Sequence, residues 1–306
     1  MSSFHSRLRP ARLSLPSRRS VLLSLIAAGG VRLGATEPKP ATPAYNNMTD
    51  EQEISVGRDI AKSLEKDEKL KFIEEPEIHS YFNGAFQKIA KSSRRPKMPY
   101  SIKIVDTKSV NAFALPGGFV YLYRGLIESS SNECEVMGAL AHEVGHVVGR
   151  HGANSLCRAR AADSLLSEAS RVLLGDEGPA HILEQLGGPV AALALLKYDR
   201  QQELEADLFG FYNVQRAGWS PKGMVNMFKR FDDSSTPIDS VMNFTSDHPT
   251  PAEREDQLLN EMKQFPPAEN LKVDSDGFQH ALAALKKLPP PPAKTSLNLH
   301  KLAELG

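Results

Sequence analysis

The run GALAHEVGHVVGRH, residues 138–151, places three histidines and one glutamate in a stretch that is otherwise small and apolar. The spacing of its apolar residues predicts a buried helix from about residue 133 to residue 150. Polar side chains that are buried without partners cost about 1–3 kcal/mol each. A helix that buries His142, Glu143 and His146 must therefore satisfy them, and a metal ion would do so.

The spacing of the two histidines suits a catalytic metal site. His142 and His146 are four residues apart, so both imidazoles lie on one face of a helix. Zinc binds such nitrogens at about 2.0–2.1 Å, and a catalytic zinc site uses three protein ligands. Glu143 lies about 100° further round the helix, where it would act on a water as a general base instead of binding the ion. The alternative is a buried helix with two hydrogen-bonded histidines.

A third ligand is available 57 residues after His146, in the segment KYDRQQELEADLFG. Glu203 and Asp207 in this segment are again four residues apart and would share one helix face. Glu203 can complete a His/His/Glu ligand set. Asp207 can accept the free ring N–H of a ligand histidine, which metal-bound histidines usually require. The alternative is an acidic helix face that is exposed to solvent.

The first 35 residues resemble an export signal. They contain six arginines and no acidic residue, and their apolar centre, Val21 to Val31, is too short to span a bilayer. Arg18 and Arg19, directly before this centre, are typical of a twin-arginine signal. We expect residues 1–35 to be removed and the protein to act in the periplasm or cell envelope. A mitochondrial presequence and an uncleaved anchor are the alternatives.

The charge balance argues against nucleic acid as a partner. The whole chain carries 37 basic and 37 acidic residues, but residues 36–306 hold only 31 basic ones with all 37 acidic ones. A protein body with this acidic excess has no basic excess with which to bind phosphates. Its composition, 41% hydrophobic and 24% charged, is that of a globular protein with a sizeable core.

The two cysteines, Cys134 and Cys157, are predicted to be buried free thiols. The helix between them would hold their α-carbons much further apart than the roughly 7 Å that a disulfide allows. A disulfide, which an exported protein could form, is the alternative.

The remaining sequence divides into a linker, a domain and an extension. Residues 36–48, rich in proline and alanine, are predicted to be a linker, and residues 49–265 a mainly helical domain. Within that domain, YSIKIVD and the two halves of NAFALPGGFVYLYRGLIE alternate as strands do and predict a small sheet. Residues 266–306, which include four consecutive prolines, are predicted to be a partly disordered extension.

Several segments together resemble the signatures of a known family. AHEVGHVVGRH and YDRQQELEADLFG are similar to the motifs of the zinc metallopeptidases that include HtpX, BepA and the CAAX prenyl proteases. NAFALPGGFVYLYRGLIE resembles the strand pair of that family, and DHPTPAER resembles its distal His-Pro…Arg element. The resemblance covers about residues 48–262. It implies an α+β, mainly helical, zincin-like metallopeptidase domain with a small sheet packed beside the HExxH helix.

The resemblance also implies a role for each residue of the two main motifs. His142, His146 and Glu203 would bind one Zn²⁺ per chain. Glu143 would be the catalytic general base, and Asp207 would support a ligand histidine. The sequence departs from the family in showing neither the membrane helices of HtpX and the CAAX proteases nor the helical repeats of BepA, which leaves substrate and partners open.

His248 and Arg254 match the distal element, which the resemblance places near the zinc. Pro249 restricts His248 to extended conformations. His248 would either donate a hydrogen bond to the oxyanion, the role we favour, or hold the fourth zinc position in a resting state. Arg254 would support the oxyanion. The alternative is a loop histidine without a role.

The sequence thus predicts a zinc-dependent endopeptidase that cleaves misfolded or membrane-associated proteins in the cell envelope. Asn111, Ala112 and Phe113, in a strand expected at the sheet edge, would bind extended peptides through their backbone groups. The alternative for this strand is a plain hairpin with Phe113 in the core. The alternatives for the whole chain are a zinc-bearing chaperone or scaffold, a hydrolase of a non-peptide substrate, and a mitochondrial quality-control protease.

The predicted partners are protein or peptide substrates. An apolar run at about residues 179–198 leaves peripheral contact with a membrane or an envelope complex as a further alternative. The sequence specifies no oligomer.

Overall fold

The computed structural model describes residues 46–68, 70–166, 198–232 and 251–292, together with residues 39, 43, 183, 192, 195, 196 and 248. The predicted export signal, most of the predicted linker and the end of the predicted extension lie outside these residues. Among the described helices, none combines the length and the apolar character needed to cross a membrane.

The described part of the chain is mainly helical and contains one small sheet, which confirms the predicted α+β fold class. Its helices are α1 (Asp50–Glu65), α2 (Pro76–Ser92), α3 (Arg124–Ser129), α4 (Glu133–Val148), α5 (His151–Leu166), α6 (Arg200–Arg216), α7 (Lys222–Asp232), α8 (Pro251–Gln264) and α9 (Asp276–Lys287). Its strands are β1 (Ser101–Val105), β2 (Ala112–Leu115) and β3 (Phe119–Tyr123).

The residues of α1 and α2 themselves explain why these two helices form. The Thr49 hydroxyl accepts the N–H of Gln52, and the Gln52 side chain accepts the N–H of Thr49, so the two residues form a capping box at the start of α1. Helix α2 has an apolar stripe that packs against β1 and α4. The buried residues of this stripe are Ile78, Phe82, Ala85, Phe86, Ile89 and Ala90.

The sheet has the strand order β1-β3-β2, with β1 parallel and β2 antiparallel to β3. Between β2 and β3 the backbone turns at Gly117 (φ +80°) and Gly118 (φ +95°), a left-handed conformation that favours glycine. Because β3 lies between the other two strands, β2 is at an edge of the sheet, as predicted. The predicted second strand was wrong beyond Tyr123, because Arg124 instead starts α3 and forms an i,i+4 ion pair with Glu128 (2.8 Å).

Helix α4 is the centre of the fold, and all 16 of its residues are buried. It approaches its neighbours closely because glycines lie at the contacts. A Cβ atom at Gly145 would lie 2.3 Å from the carbonyl oxygen of Ala206 on α6, and one at Gly138 would lie 2.8 Å from Cγ of Met224 on α7. The absence of a side chain at Gly145 thus brings the histidine motif of α4 directly against the acidic motif of α6.

Part of the predicted C-terminal extension packs on the core. Helix α9 buries Phe278 and Leu285 among the apolar residues that also surround α2. Arg124 donates to the carbonyl oxygens of Leu285 (3.2 Å) and Pro289 (2.8 Å). Residues 276–289 are thereby joined to the helical domain, and the domain limits of 49–265 and 266–306 stay predictions.

Cys134 and Cys157 are both buried free thiols, as predicted. Burial raises the pKa of Cys134 to about 12 and raises that of Cys157 as well. Because the thiolate is the reactive form, both side chains act as small apolar groups of the core.

We predict that Gly145→Ala destabilises the protein by about 1–3 kcal/mol, the usual cost of overpacking a core. The added methyl group would overlap the Ala206 carbonyl and force α4 away from α6. Denaturant unfolding measures the change in the free energy of unfolding. Gly84→Ala is the matched control, because Gly84 also lies in a helix but has no atom within 4 Å of the added Cβ. Equal stability of the two variants would contradict the close packing of α4 on α6.

Candidate metal centre

Four buried side chains bring potential metal donors together. His142 and His146 come from α4, Glu203 comes from α6, and His248 precedes α8. Each offers one nitrogen or carboxylate oxygen, and these four atoms lie within 4.8 Å of one another. The structure thus gathers, at one point, residues that are up to 106 positions apart in the chain.

The separations within this group are close to those around a divalent metal ion. Donors bound at about 2.0–2.2 Å to a tetrahedral ion are about 3.3–3.6 Å apart. Oxygens of Glu203 lie 3.3 Å and 3.4 Å from the Nε2 atoms of His142 and His146, which agrees with this range, while the two nitrogens are closer together, at 2.9 Å. Two imidazoles and a carboxylate are also the ligand types that a catalytic zinc site uses.

Glu143 lies beside this group with an unused carboxylate. It is buried, and neither of its carboxylate oxygens has a hydrogen-bond partner among the described residues. Its Oε1 is 3.6 Å from Nε2 of His248, beyond hydrogen-bonding distance. Burial raises the pKa of Glu143 above its ordinary value. A buried carboxylate without a hydrogen-bond partner in the described part of the chain is a candidate for chemistry at the site.

Asp207 orients one of the two helix histidines. Its Oδ1 accepts the Nδ1–H of His142 at 2.8 Å, which leaves Nε2 of that ring directed toward the donor group. This is the contact that the sequence predicts for Asp207. Burial opposes the ionisation of Asp207, but the charges and hydrogen bonds of Arg254 and His142 together outweigh burial and lower the pKa of Asp207 below its ordinary value.

Arg254 is fully buried and binds both carboxylates of α6. Its Nε and Nη2 donate to Asp207 at 2.6 Å and 2.8 Å, and its Nη1 lies 2.9 Å from Oε2 of Glu203. The guanidinium also lies over the ring of Phe228, 4.5 Å from the ring centroid. These contacts make Arg254 a clamp on the carboxylates, while its predicted support of an oxyanion stays a prediction.

His248 faces both Glu203 and the edge of the sheet. Its Nδ1 is 3.2 Å from each carboxylate oxygen of Glu203, and its Nε2 donates to the carbonyl oxygen of Ala112 at 3.4 Å. Burial lowers the pKa of His248, but the charge and hydrogen bond of Glu203, together with the charge of Glu143, outweigh burial and raise this pKa to about 9. The ring is therefore within reach of the donor group and of the strand that is predicted to bind substrate.

The three residues predicted to bind substrate differ in their surroundings. Phe113 pairs with Tyr121 on β3, and its ring stacks on the Tyr121 ring in the core at a centroid distance of 4.9 Å. Asn111 is buried, and its Oδ1 accepts the N–H of Ala112 at 2.9 Å. The alternative interpretation, a hairpin with Phe113 in the core, therefore describes the position of Phe113.

The open edge of β2 is formed by alternate residues. Because Phe113 directs its backbone groups to β3, Ala112 and Ala114 direct theirs away from it. The carbonyl oxygen of Ala112 accepts from His248, and that of Ala114 accepts from the hydroxyl of Tyr198 at 3.4 Å. Two side chains of the candidate metal centre thus cover the edge strand.

The sequence analysis missed two residues of the site, Tyr198 and His151. The ring of Tyr198 stacks on that of His146 with a centroid distance of 3.9 Å, and the His151 ring lies against the far nitrogen of His146. Both residues belong to the motifs already singled out: Tyr198 is five positions before Glu203, and His151 ends the histidine run. Their presence in those motifs is the signal that could have identified them.

Residues 74–262 match the model of peptidase family M48. The beta-barrel assembly-enhancing protease of Escherichia coli K12 is 26% identical over 236 residues, which cover 76% of this chain and 48% of that protein. The mitochondrial metalloendopeptidase OMA1 of Schizosaccharomyces pombe is 24% identical over 263 residues, 84% of this chain and 74% of that protein. Metalloprotease YcaL of Escherichia coli K12 is 32% identical over 158 residues, 51% of this chain and 59% of that protein.

The chain spans about half the length of the beta-barrel assembly-enhancing proteases that it matches. The residues that match the family model make up more than half of the chain and contain both motifs of the candidate metal centre. The resemblance stated from the motifs is confirmed, and the chain belongs to peptidase family M48.

Proposed function

We propose that this chain is a zinc-dependent endopeptidase with Glu143 as its general base. The observation that carries the proposal is the Glu143 carboxylate, which has no hydrogen-bond partner among the described residues and lies beside a buried group of donors that could hold a metal ion. His142, His146 and Glu203 would hold the zinc. One relative is named a mitochondrial metalloendopeptidase, which supports the same reaction class.

Glu143 would carry the proton during hydrolysis. When bound, zinc would supply Lewis acidity that lowers the pKa of a water toward 7 and polarises the scissile carbonyl. Glu143 would accept the proton of that water and transfer it to the leaving amine. Burial supports this role, because a carboxylate whose pKa is raised is a stronger base than an exposed one.

Asp207 and Arg254 would hold the ligands in place. The 2.8 Å contact of Asp207 with Nδ1 of His142 keeps the opposite nitrogen free for the ion. Arg254 in turn holds Asp207 and one oxygen of Glu203. The place of His248 among the four donors supports the second of its two predicted roles, that of a ligand at the fourth zinc position in a resting state.

We propose that the substrate binds as an added strand on β2. The carbonyl oxygens of Ala112 and Ala114 point to the open edge, where Tyr198 and His248 now donate to them. An extended peptide could replace both contacts with its own N–H groups, two residues apart, as peptides do in strand addition. Its scissile bond would then lie next to the donor group, since His248 contacts both Glu203 in that group and the carbonyl oxygen of Ala112 on β2.

We propose substrates among misfolded or membrane-associated proteins of the cell envelope. The export-signal-like residues 1–35 support this location, and one relative is named for enhancing beta-barrel assembly. Another relative is named as mitochondrial, which supports the alternative location in mitochondria.

The metal site predicts about one zinc ion per chain. His146→Ala and Glu203→Gln should each abolish zinc retention and the hydrolysis of unfolded casein, because each removes a ligand. Elemental analysis of the purified protein and release of fluorescent casein fragments measure the two effects. Glu51→Gln, on the exposed side of α1, is the control and should leave both unchanged. Full hydrolysis by a metal-free preparation would contradict the proposal.

Glu143→Gln should retain zinc but lower casein hydrolysis by about 10²–10⁴-fold, because the amide cannot accept a proton. The variant keeps the size of the side chain, so a change in packing is not the cause of the loss. Zinc content and the initial rate are measured on the same preparation. A wild-type rate would exclude the general-base role, and casein binding without cleavage by the wild type would favour the chaperone alternative.

Tyr198→Phe should lower the KM for an extended peptide by up to about 10-fold, because it removes the hydroxyl that competes for the Ala114 carbonyl. The ring would remain stacked on His146, so zinc retention should not change. Steady-state cleavage of a fluorogenic peptide gives KM and kcat separately. Tyr81→Phe, whose hydroxyl contacts Ser275 away from the site, is the matched control. A higher KM for Tyr198→Phe would contradict the proposed competition.

A further inference from the structure

His151 lies directly behind His146, on the side away from the donor group. The Nδ1 atoms of the two rings are 2.9 Å apart, and Nε2 of His151 is 3.3 Å from Oε2 of Glu205 on α6. His151 is 1% exposed, whereas the Glu205 side chain is 18% exposed. A chain of contacts thus runs from the interior, through His151, to a carboxylate at the surface.

The contacts determine which nitrogens carry protons. A carboxylate only accepts hydrogen bonds, so Nε2 of His151 is the donor to Glu205. In the neutral ring Nδ1 of His151 is then an acceptor, and the hydrogen between the two rings belongs to Nδ1 of His146. This leaves Nε2 of His146 with a free lone pair, directed at His142 (2.9 Å) and Glu203 (3.4 Å). That nitrogen is the one a metal ion would bind.

The backbone conformation between α4 and α5 places His151 against His146. Arg150 has φ +56°, a left-handed conformation that is rare for a residue with a side chain. The conformation is held by hydrogen bonds of the Arg150 guanidinium to the buried Glu53 (3.0 Å) and to the Met48 carbonyl oxygen. Strained backbone of this kind persists where the surrounding structure requires it.

Gly149 supplies the space for the His151 ring. A Cβ atom at Gly149 would lie 2.2 Å from Nε2 of His151 and 2.7 Å from two of its ring carbons. No side chain at position 149 is compatible with the ring where it stands. The left-handed backbone of Arg150 and the missing side chain of Gly149 thus together allow the His151 ring to contact His146.

We propose that His151 is a positioning residue for the metal: together with Glu205 it fixes the tautomer and the orientation of His146. It would do for His146 what Asp207 does for His142. The inference rests on the proposed zinc site and adds a residue to it. Loss of such an outer partner of a ligand histidine commonly weakens metal binding by about 10–100-fold.

The test measures the dissociation constant of Zn²⁺ by competition with a chromophoric chelator, using the full chain. His151→Ala should raise this constant by about 10–100-fold, because Nδ1 of His146 loses its acceptor. His151→Gln should recover part of the loss, since its amide oxygen can accept the same hydrogen. His280→Ala, at an exposed position on α9, is the control and should have no effect.

Gly149→Ala provides a second variant that leaves every ligand and His151 in the sequence. Its added methyl group would displace the His151 ring, so it should also weaken zinc binding. The visible absorption of the Co²⁺-loaded protein gives an independent readout, because it depends on the geometry of the bound ligands. Both His151→Ala and Gly149→Ala should change that spectrum, and His280→Ala should not.

The outcomes separate this inference from the proposed function. If the wild type binds Zn²⁺ and the His151 and Gly149 variants bind it equally well with an unchanged Co²⁺ spectrum, His151 has no positioning role and the zinc site stands. If the wild type itself binds no Zn²⁺, the zinc site and this inference are both wrong. If His151→Ala does not fold, the partial rescue by His151→Gln and the effect of Gly149→Ala still decide the question.

Discussion

The candidate site depends on how its buried charges are balanced. Glu143, Glu203 and Asp207 bring three carboxylates into the interior, and the guanidinium of Arg254 pairs with two of them. A charge buried without compensation costs several kcal/mol, so the remaining negative charge needs positive partners. The ring of His248, whose pKa is raised to about 9 and which lies 3.2 Å from Glu203 and 3.6 Å from Glu143, would supply part of that charge. A divalent cation bound by the two histidines of α4 would supply the rest. The stability of the buried core and the binding of a metal ion would therefore depend on the same balance of charges.

The same charges can meet only because two helices approach more closely than ordinary side chains allow. Gly145 on α4 leaves room for the Ala206 carbonyl on α6, and Gly210 on α6 lies against the backbone of α4 at Ala141. These small residues are interleaved with the candidate ligands, so a helix turn that presents a candidate ligand also presents a surface without large side chains. The segment HEVGH therefore provides the two candidate histidine ligands and, through Gly145, the short distance between α4 and α6 that brings Glu203 to them.

The sequence could predict those features that follow from the regular repeat of a helix or a strand. His142, His146 and Glu203 follow from spacing and from the chemistry of metal ligands, and β2 at the sheet edge follows from alternation beside a glycine turn. It could not predict features that depend on a departure from regular backbone. His151 is five positions after His146 and would lie elsewhere on a continuous helix, but the left-handed conformation of Arg150 returns it to His146. The helical start of α3 was missed for a different reason: the Arg124–Glu128 pair, four residues apart, favours a helix, but the alternating pattern directly before it was extended across it.

The edge strand and the metal centre are joined by shared side chains. Tyr198 stacks on the candidate ligand His146 and also donates to the Ala114 carbonyl oxygen, while His248 contacts Glu203 and also donates to the Ala112 carbonyl oxygen. A peptide that pairs with β2 in the proposed way must therefore displace groups that touch the candidate ligands. Binding along the strand and the arrangement of the donors are therefore coupled through direct contacts, and no distant conformational change is needed. Such coupling would let the site respond to an extended chain and ignore a folded surface, because only an extended chain offers N–H groups at the spacing of alternate strand residues.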